Sequence, residues 1–277
     1  MEVAKLAFAL LALALLSGCI ANREGPTPAP NNSQNSSITA LPSQTPNPTI
    51  TATMQPTVQG NISPQLQVWV HYIDVGQGDS TLVIAGNGTH NASMLVDGAK
   101  RSKGQRVLEF LKARNVTRLN AIVITNPDED HMGGFIEVLN NLQADKVIES
   151  GSTKDTLVYD DLFGLIANKS VPRVKVRTGE TEEMLPGINL TFLNPSPALA
   201  NSSLSVNDKS VSTKLTIGGV CFIFPGDSEK KAEEQMLASG LNLHCQVLKA
   251  GHHGSRTSSS AAFLNAVKPE VAIISTG

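Results

Sequence analysis

The sequence has no apolar run long enough to span a bilayer, no surplus of basic charge, few cysteines and one long stretch without apolar periodicity. The N-terminal apolar run, Leu6–Leu16, holds about 11 residues, where a spanning helix needs about 20. Lys and Arg number 22 against 24 Asp and Glu, a formal charge of -2. A dedicated duplex-DNA binder shows a basic surplus, so any polyanion binding must come from a local site. Cysteine occurs three times. Cys221 and Cys245 lie in apolar runs and read first as separate buried thiols. An exported protein can also pair them, but spacing alone does not bring their Cα atoms within reach. Residues 20–65 are rich in Pro, Thr, Ser and Asn. Such a segment cannot bury enough surface to offset its chain entropy, and it reads as an extended stalk.

The N-terminus has the plan of an export signal. Lys5 is a small positive region, the apolar run follows, and Leu16-Ser17-Gly18-Cys19 resembles the lipobox of prokaryotic lipoproteins. The resemblance implies a signal peptide over residues 1–18 and lipidation of Cys19. Residues 19–65 then form a disordered linker. The protein is expected on the extracellular face of the cell membrane, anchored by lipid rather than spanning.

Regular patterning begins at residue 66. β-branched and alternating runs predict strands over 66–73, 80–85, 93–96, 119–124, 147–148, 173–176, 188–193, 210–217, 220–224, 245–248 and 271–274. Helical spacing predicts helices over 104–115, 131–142, 155–168, 228–238 and 258–267. Strands dominate early and helices interleave in each half, as in a mixed α+β sheet covered by helices.

Three polar groups lie at C-terminal ends of apolar strands. The first is Asn126-Pro127-Asp128-Glu129-Asp130-His131-Met132-Gly133-Gly134, the second Gly226-Asp227, and the third Lys249-Ala250-Gly251-His252-His253-Gly254-Ser255-Arg256. Loops at strand ends on a rigid sheet let side chains converge. Carboxylates with imidazoles form a metal-ligand set, and a helix starting at residue 131 would add partial positive charge for an anionic substrate.

Together with Asp74-Val75-Gly76-Gln77-Gly78-Asp79-Ser80 and Leu95-Val96-Asp97-Gly98, these motifs resemble, in order, the metallo-β-lactamase-fold domain of ComEC-type competence proteins. The match covers residues 66–277. It implies a four-layer αββα sandwich with a metal site at the sheet edges, and hydrolysis by a metal-activated water. Relatives usually continue past the final Ser-x-Gly, so the resemblance implies a domain incomplete at its C-terminus.

One departure shapes the expected centre. The family loop usually starts with His where this chain has Asn126, and an amide is a poorer zinc ligand than imidazole. No histidine lies between His131 and His244. The Asn207–Ser210 stretch can stand where many relatives carry another. The expectation is therefore asymmetric. One divalent ion, Zn or Mn, is held tightly by Asp130, His131, Asp227 and one of His252 and His253. A second, weaker position uses Asp128 and bridging Asp227, with Asn126 as a possible contributor. Asp130 or Asp128 orients the nucleophile, and the histidine left free, with His253 as the candidate, donates the proton. Lys249, Ser255 and Arg256 are candidates for an anionic substrate, although Lys249 and Arg256 also suit plain surface charges. Asp79 and Asp97 either orient ligands or fix turns. The expected function is a phosphodiesterase or nuclease connected with DNA uptake. The alternatives are a phosphorylcholine-type surface esterase and a degenerate domain that binds metal or polyanion without turnover.

Overall fold

The computed structural model describes residues 51–52, 66–86 and 91–276, all within the compact unit Asn47–Gly277. The expected signal peptide, the lipidated Cys19 and most of the linker lie outside the described residues. Thr51–Ala52, inside the stretch read as linker, form a short strand β1 paired antiparallel with His71 and Val70.

Strands β2 (Gln67–Tyr72), β3 (Thr81–Gly86) and β4 (Asn91–Val96) make an antiparallel meander after β1. The short strands β6 (Ala121–Val123), β8 (Val147–Glu149) and β9 (Arg173–Lys175) then add in parallel. A two-stranded pair, β5 (Arg118–Leu119) with β7 (Gln143–Ala144), lies beside them in the sequence. The second sheet runs β10 (Thr181–Leu185), β11 (Ile188–Asn194), β12 (Ser212–Ile217), β13 (Val220–Phe224), β14 (Val247–Lys249) and β15 (Val271–Ile273), with the last two joins parallel.

Strand pleating explains the layers. In β3, Val83 and Ala85 face the cluster shared with Leu190, Phe192, Leu215, Phe222 and Phe224 of the second sheet. Their neighbours Leu82 and Ile84 face the opposite way, as a period of two requires. That outer face is covered by α1 (Gly104–Lys112), α3 (Phe135–Asn141) and α4 (Leu157–Asn168) through Val107, Leu111, Phe135, Val138, Leu139, Leu162 and Ile166. The second sheet repeats the device. Phe222 and Phe224 point to the other sheet, while Cys221 and Ile223 meet α6 (Lys230–Ala238) and α7 (Ala261–Val267). Helix, sheet, sheet and helix therefore stack in the expected αββα order. Apolar side chains on both faces explain why β4, β6 and β13 read as continuous apolar runs.

Three local expectations change. The helix expected over 131–142 is two short helices, α2 (Glu129–Met132) and α3, broken at Gly133-Gly134. A Cβ on Gly134 would lie 1.9 Å from the Gly98 carbonyl oxygen, so the chain passes the β4 loop too closely for any other residue. A four-residue helix has little dipole, and the anion-attracting helix terminus drops out. Strand β10 was not expected, because Thr181-Glu182-Glu183-Met184-Leu185 is an exposed, acidic edge strand. Cys221 and Cys245, read first as separate thiols, form a disulfide with Cα atoms 5.2 Å apart, within the range such a bond requires.

Candidate metal centre

The parallel strands of both sheets deliver their C-terminal loops to one edge. β4 ends at Asp97, β6 at the Thr125–His131 loop, β13 at Asp227, and β14 at Lys249 and the histidine pair. Backbone hydrogen bonds weld the loops of the first sheet together: Asp79 N–H donates to Asp130 O at 3.1 Å, and Gly98 N–H to His131 O at 2.6 Å. This approach needs glycine at 78, since a Cβ there would stand 2.6 Å from the Asp130 carbonyl oxygen and φ is +125°. Gly226, at φ +59°, likewise lets Asp227 turn in against Thr125. Beyond β14, His252 and His253 both take left-handed backbone conformations, φ 46° and 53°. Such conformations are uncommon outside glycine and are typical of sites where the surrounding structure imposes them.

Asp79, His131, Asp227 and His253 converge so that one ligand-type atom from each lies within 4.8 Å of the others. His131 is fully buried, and its Nδ1 lies 2.9 Å from Asp97 Oδ2. Asp97 also accepts from Thr125 N–H at 2.9 Å and from Thr125 Oγ1 at 2.7 Å. In the neutral ring with its proton on Nδ1 toward Asp97, the Nε2 lone pair faces Asp227 Oδ2, 3.0 Å away. Two acceptors at that separation need a proton or a cation between them.

The wider cluster makes the same demand. Asp79 Oδ1 and Oδ2, Asp227 Oδ1, His131 Nε2 and both ring nitrogens of His253 are buried without a directed hydrogen bond, against the near-universal pairing of buried polar atoms. His253 Nδ1 is 3.4 Å from Asp79 Oδ1, and its Nε2 is 3.5 Å from Asp130 Oδ2 and 3.7 Å from Asp227 Oδ1. The carboxylates of Asp79, Asp97, Asp130 and Asp227 each lie against His131 or His253, and the Lys249 ammonium lies against Asp79. The donor set and its charge fit a divalent cation.

Proton affinities follow. Burial would lower His253, but Asp130 and Asp79 outweigh it and push the ring up to about 9. Burial also opposes the charged form of His131, yet Asp97 and Asp227 raise it well above the ordinary value. Burial alone would raise Asp79; the Lys249 ammonium and the two imidazoles instead hold its carboxyl far below the usual range. In Asp97 burial prevails over His131, and the carboxyl is raised.

The structure brings together some expected residues and separates others. Asp130 borders the cluster through His253. Asp79 and Asp97, read as orienting groups or turn formers, differ: Asp97 holds His131, whereas Asp79 stands in the cluster itself. His253, expected as proton donor as well as ligand, is enclosed among carboxylates. His252 is the more exposed ring, with Nδ1 3.1 Å from Glu229 Oε1 and Nε2 3.8 Å from Asp227 Oδ2.

Asp128 points to a different partner, the ammonium of Lys154. Asn126 is fully buried and spent on hydrogen bonds. Its Nδ2 donates to Asn207 Oδ1 at 2.7 Å, and its Oδ1 accepts from Asp128 N–H at 3.0 Å. At the weaker ion position expected from Asp128 and bridging Asp227 with Asn126, the Asp128 carboxylate meets Lys154 and the Asn126 amide meets Asn207. Lys249 is neither a surface charge nor an open substrate contact, being 4% exposed with its ammonium against Asp79. Arg256 is exposed, and Ser255 is half-buried against Thr257. Sequence reasoning missed Lys154 and Glu229. Neither belongs to a motif, and only the fold brings Lys154 to Asp128.

The superfamily model for metallo-β-lactamases matches residues 73–277. The chain is 34% identical over 217 residues to competence protein ComA of Neisseria gonorrhoeae, covering 77% of this chain and 28% of that protein. It is 28% identical over 222 residues to ComE operon protein 3 of Bacillus subtilis strain 168, covering 75% and 28%. The chain thus spans little more than a quarter of the length of these curated relatives. Among solved structures, CmlA, a diiron β-hydroxylase from Streptomyces venezuelae, superposes with a TM-score of 0.50 at 16% identity, over 75% of this chain and 45% of that one; this is a likeness of fold alone. By its motifs, its layered fold and the matched span, this chain belongs to the metallo-β-lactamase superfamily.

Proposed function

We propose that the chain is a metal-dependent phosphodiester hydrolase, with nucleic acid as its substrate class, acting outside the cell membrane from a lipid anchor at Cys19. The observation that carries the reading is the buried cluster of Asp79, His131, Asp227 and His253, whose ligand-type atoms lie within 4.8 Å of one another, with His131 Nε2 turned to Asp227. The name of the Neisseria gonorrhoeae relative, competence protein ComA, supports a substrate connected with DNA uptake.

Asp79, His131, Asp227 and His253 would hold the ion, with Asp130 at the cluster's edge. A bound divalent ion supplies Lewis-acid polarisation and makes water acidic near neutral pH. Asp97 keeps the His131 proton on Nδ1, leaving Nε2 free for coordination. Asp130, partly exposed at the edge of the cluster, can orient the attacking water. His252, backed by Glu229, can carry a proton to the leaving oxygen. The exposed Arg256 and the adjacent Ser255 are suited to a substrate phosphate.

The test is incubation of the chain with single- and double-stranded DNA and with bis-p-nitrophenyl phosphate, under Mn²⁺, Zn²⁺ or chelator. The expected result is metal-dependent cleavage of DNA that chelator abolishes. Cleavage of the small ester but not DNA would replace nucleic acid with a smaller surface phosphodiester. Because Asn126 and Asp128 are already engaged, a non-catalytic metal-binding role is the second reading. Metal bound without turnover of either substrate would favour it over hydrolysis.

A further inference from the structure

We infer that Lys154 is a built-in cation at Asp128, so that the centre takes a single divalent ion. This rests on the metal reading above and extends it to the number of ions. Three observations carry it.

The first is partner choice. Asp128 and Asp130 are two residues apart on the same loop but serve different centres. Asp130 Oδ2 lies 3.5 Å from His253 Nε2. The Asp128 carboxylate is in contact with the Lys154 ammonium, and Asp128 is not in the four-residue cluster. The second is the neighbouring amide. A second ion beside Asp128 would draw on Asn126, but its carbonyl oxygen accepts from the Asp128 backbone N–H and its amide nitrogen is held by Asn207, 81 residues away. Recruiting Asn126, itself fully buried, would break a part-buried tie between the β6 loop and the β11–β12 connection. The third is charge. With its two imidazoles neutral, as coordination requires, the cluster around His131 has four carboxylates against the single Lys249 ammonium and calls for added positive charge. The Asp128–Lys154 pair is already neutral and does not.

Lys154 comes from the loop after β8, and its side chain is 39% exposed, against 28% for Asp128. A pair this open is weakly held and screened by solvent. Lys154 therefore supplies a positive charge at the mouth of the site without locking the loop, and the position tolerates substitution.

The experiment is equilibrium dialysis of the chelator-treated full chain against Mn²⁺ with elemental analysis, on wild type, Lys154→Met and Lys154→Arg, with circular dichroism to verify folding. Wild type and Lys154→Arg are expected to bind one equivalent. Lys154→Met is expected to bind a second, weaker one at the freed Asp128. Two equivalents in wild type would overturn the single-ion centre while leaving the metal reading intact. One equivalent in folded Lys154→Met would overturn the role given to Lys154. No ion in wild type would refute the metal reading, and this inference with it.

Discussion

Replacing Asp97 by Asn tests the arrangement of the centre without touching a proposed ligand. Asp97 has φ +59°, a conformation that Asn adopts more readily than most residues, so backbone and shape are kept. Only the hydrogen-bond chemistry changes. One carboxylate oxygen accepts from Thr125 N–H, and the other accepts from Thr125 Oγ1 and His131 Nδ1. An amide cannot satisfy all three donors. If its NH₂ faces Thr125 N–H, two donors oppose each other in a buried site. If its NH₂ faces His131, Nδ1 must become the acceptor, which moves the ring proton to Nε2 and blocks that nitrogen as a ligand. Losing a carboxylate partner of a ligating histidine typically costs 10–100-fold in metal affinity, about 1.4–2.8 kcal/mol. Competition against a chelating dye for Mn²⁺ or Zn²⁺ measures it, with circular dichroism to establish folding. A folded Asp97→Asn variant that binds within twofold of wild type would refute the assignment of Nε2 as a ligand atom.

Metal affinity should depend on pH. In metal-free protein His253 holds its proton up to about pH 9, and coordination must release it. Apparent affinity should therefore climb by up to about tenfold per pH unit for each proton released, levelling off above pH 9. Dye competition at pH 6.5, 7.5 and 8.5 reads this, and a flat profile would contradict it. The sign for stability of the metal-free protein is opposite. A raised histidine pKa contributes stability that is full below about 6.5 and is lost as pH rises toward 9, so thermal midpoints should fall across that window in chelator. The disulfide makes a separate prediction. Cys221 and Cys245 close a loop with a separation of 24 residues, worth about 3 kcal/mol by chain entropy and about 6–12 °C in Tm for a domain of this size. The double variant Cys221→Ser/Cys245→Ser should melt lower by that margin, and an unchanged midpoint in reductant would argue against the bond.

How far the sequence revealed this depended on the range of the interaction. Strands β2, β3, β4, β11 and β13 follow from alternation or unbroken apolar runs, and helices α1, α4, α6 and α7 from spacing, each to within a few residues. Edge strand β10 hid because its first three residues, Thr181-Glu182-Glu183, are polar and only Met184 and Leu185 reach the core, too short an apolar run to mark a strand. The division of 131–142 hid because the break arises from contact between Gly134 and Gly98, a tertiary event. The same distinction governs the centre. Asp130, His131, Asp227 and the histidine pair were legible because each lies at the tip of an apolar strand, where a motif signals convergence. Lys249 was legible as a charge but not as a buried one, since that depends on Asp79 arriving from the other sheet.

Asn126 shows why residue type and spacing alone could not finish the assignment. Read beside its neighbours, it is a weakened ligand in a metal-binding string. In the folded chain both ends of its amide are committed, one within its own loop and one to Asn207. An exchange of imidazole for amide at such a position removes a ligand and adds a tie between the two sheets. Asp128 changes character with it: once its neighbour no longer offers a lone pair to an ion, a single ammonium is enough to balance the carboxylate. Asn126 and Lys154 thus bear on the same carboxylate, and the chemistry of the centre turns on whether Asp128 answers to a metal or to Lys154.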